Sequence, residues 1–210
     1  MTIAILANDE QKEEWLLKEV PDEVELVWID SMSSLIMVEA DAYFDLLFDA
    51  DPERTARLKQ LKNKPVFINA VPWTGAVTGH SLIRMNAWPT LLRRPIVEIA
   101  LTDPAQEACV KEVFASLQWR YQLVPDACGM ITPRVLAMIF NEAWFTFGEG
   151  VSTKEEIDTA MKLGTNYPMG PFEWGSKIGW QHVHQLLQAL GRTDARYTIA
   201  PALEQYVANK

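Results

Sequence analysis

Glycine is missing from the front of this chain: none of its ten glycines precedes Gly75. A nucleotide pyrophosphate is normally held over a glycine-rich turn, where the backbone must approach closely at a helix N-terminus. After the first apolar stretch this chain offers Leu6-Ala7-Asn8-Asp9-Glu10-Gln11. Side chains would crowd such a turn, and Asp9 and Glu10 would put negative charge where phosphates sit. Cysteine is scarce as well. Cys109 and Cys128 are too few for a disulfide framework. The three histidines, His80, His182 and His184, do not make a metal set, because the last two are two apart on a predicted helix and face different ways. No H-E-x-x-H and no G-x-S-x-G occurs. No apolar run approaches the ~20 residues that span a bilayer, and the stretch MTIAILANDEQKEEW has no basic leader. Neither a membrane span nor a signal peptide is therefore expected, and a reducing cytoplasm is the expected compartment. Positive charge is in deficit, with 19 Lys and Arg against 28 Asp and Glu, a net charge of -9. That argues against nucleic acid and acidic membranes as partners. Arg93 and Arg94, beside Arg84, are the nearest thing to a basic patch, and solubility is the simpler reading of the charge.

What is present reads as a folded protein: 210 residues, 49% hydrophobic and 22% charged, suit one large domain or two small ones. The front half alternates strands and helices. TIAILA (2–7), ELVWI (25–29), AYFDLLF (42–48), PVFI (65–68), IVEIA (96–100) and 121–124 read as strands. Charged helices are predicted over 9–19 and 52–61, and a further helix over 104–117 with Asp103 as its cap and Pro104 at its first position. Residues 69–79 hold Pro72, Gly75 and Gly79 and read as a loop. Short apolar strands alternating with helices predict an α/β layer with a largely parallel sheet.

The pattern changes near 125–130. Thr132 and Pro133 open a long helix with Leu136, Ile139, Phe140, Ala143 and Phe147 on its apolar stripe. Ser152 to Glu155 reads as a capping box for a helix ending at Gly164. A turn, YPMGP, leads to one helix carrying Ile178, Val183, Leu186, Leu187 and Leu190, and a last helix starts near Pro201. Four helices with no strand are expected. Trp144, Phe145 and Phe147 supply more aromatic surface than one narrow stripe needs, which suits a second subunit or a fully buried helix.

Few residues stand out as chemical candidates. Glu98 lies on a predicted strand, where a carboxylate can orient an imidazole or simply face solvent. His80 is a loop histidine with no evident partner. Asp30 follows the second strand, where a ribose-binding acid or a turn acid would lie. Asn141 suits a local hydrogen bond or an interface.

The text GMITPRVLAMIFNEAWFTFGEGVSTKEEIDTAMKLGTNYPMGPFEWGSKIGW, from Gly129 to Trp180, resembles the C-terminal domain of the 3-hydroxyacyl-CoA dehydrogenases. It carries N-E-A, E-G-V, I-D-x-A-M, P-M-G-P-F-E and I-G in order, and Pro168 to Glu173 is the most specific block. The likeness continues more weakly through Arg84 to Ala100. It implies a shortened, degenerate Rossmann-like parallel-sheet domain over 1–126, followed by an all-helical dehydrogenase C-terminal domain over 127–210 that commonly mediates dimerisation.

The resemblance also assigns positions. The family's catalytic histidine corresponds to Asn86, its carboxylate partner to Glu98, and the asparagine of its asparagine-arginine pair to Pro133, followed by Arg134. The family's N-T-S-S segment corresponds to Asn69-Ala70-Val71-Pro72, with both serines gone. Asparagine cannot take up a proton near neutral pH, and proline brings no side-chain or backbone donor. The expectation is a dehydrogenase-like protein without NAD-dependent hydride transfer. It would have no cofactor and no metal, and would bind a small acyl or acidic ligand between its domains or act as a homodimeric scaffold through its C-terminal helices. The alternative is an active oxidoreductase of the same family with a non-standard NAD site, using Glu98 and His80.

Overall fold

The first strand of the sheet lies between two later ones. Thr2–Leu6 (β1) pairs in parallel with Glu25–Ile29 (β2) on one side and Ala42–Asp45 (β3) on the other. Val66–Asn69 (β4), Ile83–Met85 (β5), Ile96–Ala100 (β6) and Arg120–Val124 (β7) complete the order β2-β1-β3-β4-β5-β6-β7. Only the β5–β6 pairing is antiparallel. This computed structural model describes residues 1–61 and 63–209. They form two compact units, Met1–Met130 and Ile131–Lys210.

The first unit is the expected α/β layer. Helices Asp9–Leu16 (α1), Met32–Met37 (α2), Pro52–Leu58 (α3), Gly75–Thr78 (α4) and Glu107–Ser116 (α5) connect its strands. Strand side chains alternate faces. Ile3 and Ile5 accordingly join Trp15, Phe44, Phe67 and Phe114 in one core, while Ala4 and Leu6 join Leu35, Tyr43 and Ile68 in another. Burial on both faces is why these strands read as apolar runs rather than alternations.

Several boundaries differ from the sequence reading. β5 was not expected: it has three residues, and Arg84 interrupts its apolar text. α2 begins at Met32, with Ser31 capping it by accepting from Ser34 N–H. The 104–117 helix is a 3-10 turn, Pro104–Gln106, that leads into α5, and Asp103 does cap it, accepting from Ala105 N–H.

Among the described residues the second unit has five α-helices rather than four: Thr132–Gly148 (α6), Lys154–Thr165 (α7), Pro171–Ile178 (α8), Trp180–Gly191 (α9) and Pro201–Ala208 (α10). The single helix expected through Ile178 and Val183 is broken at Gly179, whose φ of +97° is open to glycine and costly for other residues. Thr132 does not cap α6; the cap position is Ile131, with no side-chain bond. The capping box lies one residue later than expected, at Thr153 and Glu156, and Ser152 Oγ donates to the same carboxylate at 2.7 Å.

The aromatic excess of α6 is largely used inside its own unit. Trp144 is 1% exposed and packs edge-on against Phe172 and Trp180, with Tyr206 at 5.1 Å. Among the described residues no helix is long and apolar enough to cross a membrane.

Candidate active site

In an open α/β sheet, ligands bind beyond the carboxyl ends of the strands, where the connections diverge to opposite sides. Here that point lies between β1 and β3. The chain's own polar side chains fill it. Asn8 caps α1 by accepting from Gln11 N–H at 2.8 Å, and the Gln11 side chain accepts from Asn8 N–H, closing a capping box. Gln11 Nε2 also donates to Leu46 O at 2.8 Å and Ala87 O at 3.3 Å. Asn69, at the end of β4, donates to the same Leu46 carbonyl and accepts from Ala87 N–H at 3.0 Å. One turn along α1, buried Glu14 accepts from the backbone N–H groups of Thr90 and Arg93. Burial pushes the Glu14 carboxyl above its usual value, against the pull of those two N–H groups and the Arg93 charge. A carboxylate supplying two backbone bonds holds the 90–93 turn, whose Thr90 has a φ of +71°.

The antiparallel register of β5 and β6 brings two predicted positions together. Asn86 N–H donates to Glu98 O at 3.0 Å, and both residues are largely buried, 5% and 9% exposed. The Asn86 amide oxygen accepts from Trp88 N–H at 3.3 Å, so it serves as a turn residue. His80 is not brought to this pair. It precedes β5, off the opposite end from Asn86, and its Nδ1 lies 3.1 Å from Thr102 O. Asp30 is an exposed turn residue, accepting from Ser34 Oγ at 3.5 Å.

Arg84 does not belong to a surface patch with Arg93 and Arg94. It is fully buried, pairs with Asp126, and donates to the carbonyls of Ala70, Val71 and Ala127. Asp126 in turn accepts from Gly75 N–H at 2.9 Å. A Cβ on Gly75 would meet both Asp126 and Thr102 at under 3 Å. The guanidinium thus ties three loop carbonyls together, two of which, Val71 O and Ala127 O, also accept from the backbone N–H groups of Gly129 and Met130.

In the helical unit, Pro133 is buried as the second residue of α6. The neighbouring Arg134 donates Nε to the Tyr197 hydroxyl at 2.8 Å. Asn141, 2% exposed, donates to Thr198 O and accepts from Ala200 N–H, both at 2.9 Å. Its bonds therefore tie α6 to the segment before α10, within the same unit. Asp158 of α7 accepts from Phe172 N–H at 2.7 Å and Glu173 N–H at 2.9 Å, capping α8 from a neighbouring helix. The close approach requires Gly170, where a Cβ would lie 2.3 Å from Asp158. Sequence reasoning missed Gln11, Glu14, Asp126 and Asp158. Of these, only Gln11 had a readable signal, the N-x-x-Q of a capping box. Among the described residues no group of three metal-ligand side chains is gathered.

Residues 129–210 match the family described as the C-terminal domain of 3-hydroxyacyl-CoA dehydrogenase. It is this domain, not the chain as a whole, that carries the likeness to the family. The 3-hydroxyadipyl-CoA dehydrogenase of Escherichia coli is 39% identical over 98 residues, 45% of this chain and 21% of that protein. The 3-hydroxybutyryl-CoA dehydrogenase of Clostridioides difficile is 41% identical over 124 residues, 58% of this chain and 44% of that protein. The matched stretch thus spans less than half of either relative. The crystal structure of (S)-3-hydroxybutyryl-CoA dehydrogenase from Ralstonia eutropha superposes with a TM-score of 0.74 at 20% identity, over 99% of this chain and 93% of that one. At that identity the likeness is one of fold: a Rossmann-like sheet followed by a helical domain. Within the family domain, Asn141, Asp158 and Gly170 fall in its N-E-A, I-D-x-A-M and P-M-G-P-F-E blocks, and all three act in capping and turn closure within this unit.

Proposed function

We propose that this 3-hydroxyacyl-CoA dehydrogenase-like chain does not perform NAD-dependent hydride transfer, and acts as a dimeric scaffold or binds a small acyl or acidic ligand. The observation that carries this reading is the pairing of Asn86 with Glu98. The resemblance places the family's general base at Asn86, and an amide has no proton-accepting nitrogen near neutral pH. The position that the resemblance assigns to the family's imidazole is thus held by an amide. Pro133 stands where the family has an active-site asparagine, and it has no donor to offer.

The residues at the switch point do not fit NAD. A pyrophosphate needs free N–H groups and no side chains at the first turn. Here the Gln11 N–H and side chain are committed to the capping box and to two carbonyls. Asp9 and Glu10 stand in the first turn. A dinucleotide would have to break these bonds and approach two carboxylates.

The dimer is proposed through the C-terminal helices, as the resemblance implies for this domain. The test is direct. The protein is incubated with NAD and 3-hydroxybutyryl-CoA, and NADH is followed by absorbance, with NAD binding measured by calorimetry. No NADH and no saturable binding are expected. Turnover that Glu98→Gln abolishes would overturn the reading. Sedimentation equilibrium tests the dimer, and a monomer across the micromolar range would remove the scaffold role.

A further inference from the structure

A pocket of about 550 Å³ opens within the helical unit, between α6, α7 and α8. Its apolar lining includes Met138, Ile139 and Ala143 of α6, and Ala160 and Met161 of α7. This volume is in the range of small-molecule sites, which are mostly apolar with a few placed polar groups. The space exists because α7 is lightly packed. Ile157 is its one buried side chain, and the alanines at 143 and 160 leave room that larger residues would fill. Methionines line the space, and their unbranched thioethers adapt to flexible aliphatic partners.

The polar lining carries charge of one sign. Exposed Glu142 and Glu156 both border the pocket. Among the described residues neither takes part in a salt bridge, although Glu156 is tied into the α7 capping box. The nearest cation in sequence is turned away. Lys154 Nζ lies 4.3 Å from the Trp144 ring centroid and 4.7, 5.4 and 5.1 Å from those of Phe147, Phe172 and Tyr206. An aromatic cage therefore sequesters the charge that might have neutralised this opening.

We infer that this pocket binds an amphiphile with a single aliphatic tail and a positively charged head, the tail between α6 and α7 and the head beside Glu142 and Glu156. The site lies wholly within the helical unit and is separate from the switch point. Its two carboxylates repel the phosphates of a CoA thioester and the head of a fatty carboxylate, so its preference runs opposite to the family's acyl chemistry.

The test titrates the full chain with decyltrimethylammonium and with decanoate, each below its micelle concentration, by calorimetry. Saturable binding of the cation is expected, with decanoate at least about tenfold weaker, as attraction becomes repulsion at the same head position. Ala160→Phe fills the tail space and should abolish binding with the circular dichroism spectrum unchanged. If that variant unfolds, Glu142→Lys keeps the tail space on an exposed position and should shrink or reverse the preference. Equal binding of both amphiphiles, no binding of the cation, or insensitivity to Glu142→Lys would overturn the inference. So would a dimer that Ala160→Phe dissociates, since a second copy would then cover the pocket.

Discussion

Asp158 gives a quantitative handle on the helical unit. The first turn of α8 has a small and countable set of backbone donors. Pro171 has no N–H, and Trp174 N–H reaches Gly170 O at 2.8 Å. The two remaining donors, on Phe172 and Glu173, both end on the Asp158 carboxylate. Asp158→Ala removes both bonds at once. A side-chain cap is worth about 0.5–2 kcal/mol, and a negative charge at a helix N-terminus adds about 0.3–1 kcal/mol. Asp158 is half-buried, so the upper part of each range applies and the expected loss is about 2–3 kcal/mol. Asp158→Asn keeps one acceptor and should lose about half as much. Urea unfolding followed by tryptophan fluorescence reads the change directly, because Trp144, Trp174 and Trp180 all lie in this unit. Thr159→Ala, next in sequence but exposed and bonded only within its own helix turn, is the control and should shift stability by under about 0.5 kcal/mol. An Asp158→Ala variant as stable as that control would refute the capping argument.

Lys154→Met keeps the aliphatic stem on the aromatic cluster but removes the ammonium, and should cost about 1 kcal/mol that Lys154→Arg largely recovers in thermal unfolding. Arg84→Met removes the guanidinium from the buried Ala70 carbonyl and from Asp126, which keeps Gly75 N–H, and should cost about 1–3 kcal/mol by urea titration, the penalty of a buried group left unsatisfied. Because the Glu14 carboxyl is raised by burial, the folded chain keeps a proton that the unfolded chain releases. Its contribution is full below the usual glutamate value of 4.5 and is lost as pH rises through the raised folded value. Glu14→Gln removes that loss, so wild type should lose stability relative to the variant as pH rises from below 4.5, and a difference that is flat with pH would refute the assignment.

Much of the sheet is readable because its inner strands are short apolar runs buried on both faces, and runs such as TIAIL stand out beside charged helices. β5 is not, because its central residue is an arginine. The reason Arg84 can be buried there, Asp126 and three carbonyls, is assembled from segments far apart in sequence. The helix break at Gly179 was missed for a related reason. Glycine is tolerated within helices, and what forces the turn is the packing of the Trp180 ring over Gly175, where a Cβ would lie 2.3 Å away. Asn86 and Glu98 were identified as corresponding family positions, and the strand register sets them opposite each other. Glu14 is unreadable as a site residue, since a charged amphipathic helix gives no sign of which polar side chain points inward, whereas Gln11 is marked only as the end of an N-x-x-Q capping box.

The two units use buried polar groups differently, and this bears on what one mutation can restore. In the helical unit, Asn141 and Asp158 satisfy backbone groups at helix starts and turns, so their residue types follow from the fold itself. At the switch point, Gln11 and Asn69 satisfy loop carbonyls and N–H groups at the place where open sheets hold ligands. Asn86→His would return an imidazole next to Glu98, yet it would leave Gln11 bonded to Leu46 and Ala87. Replacing Gln11 with glycine would open the turn but strand the Ala87 carbonyl and leave Leu46 with Asn69 alone, at a cost of about 1–3 kcal/mol for each buried group left unsatisfied. NAD affinity should therefore stay undetectable in Asn86→His and in Gln11→Gly singly. Saturable binding in the Asn86→His variant alone would show that the first turn yields easily, and that the amide lattice around Leu46 is weaker than its geometry implies.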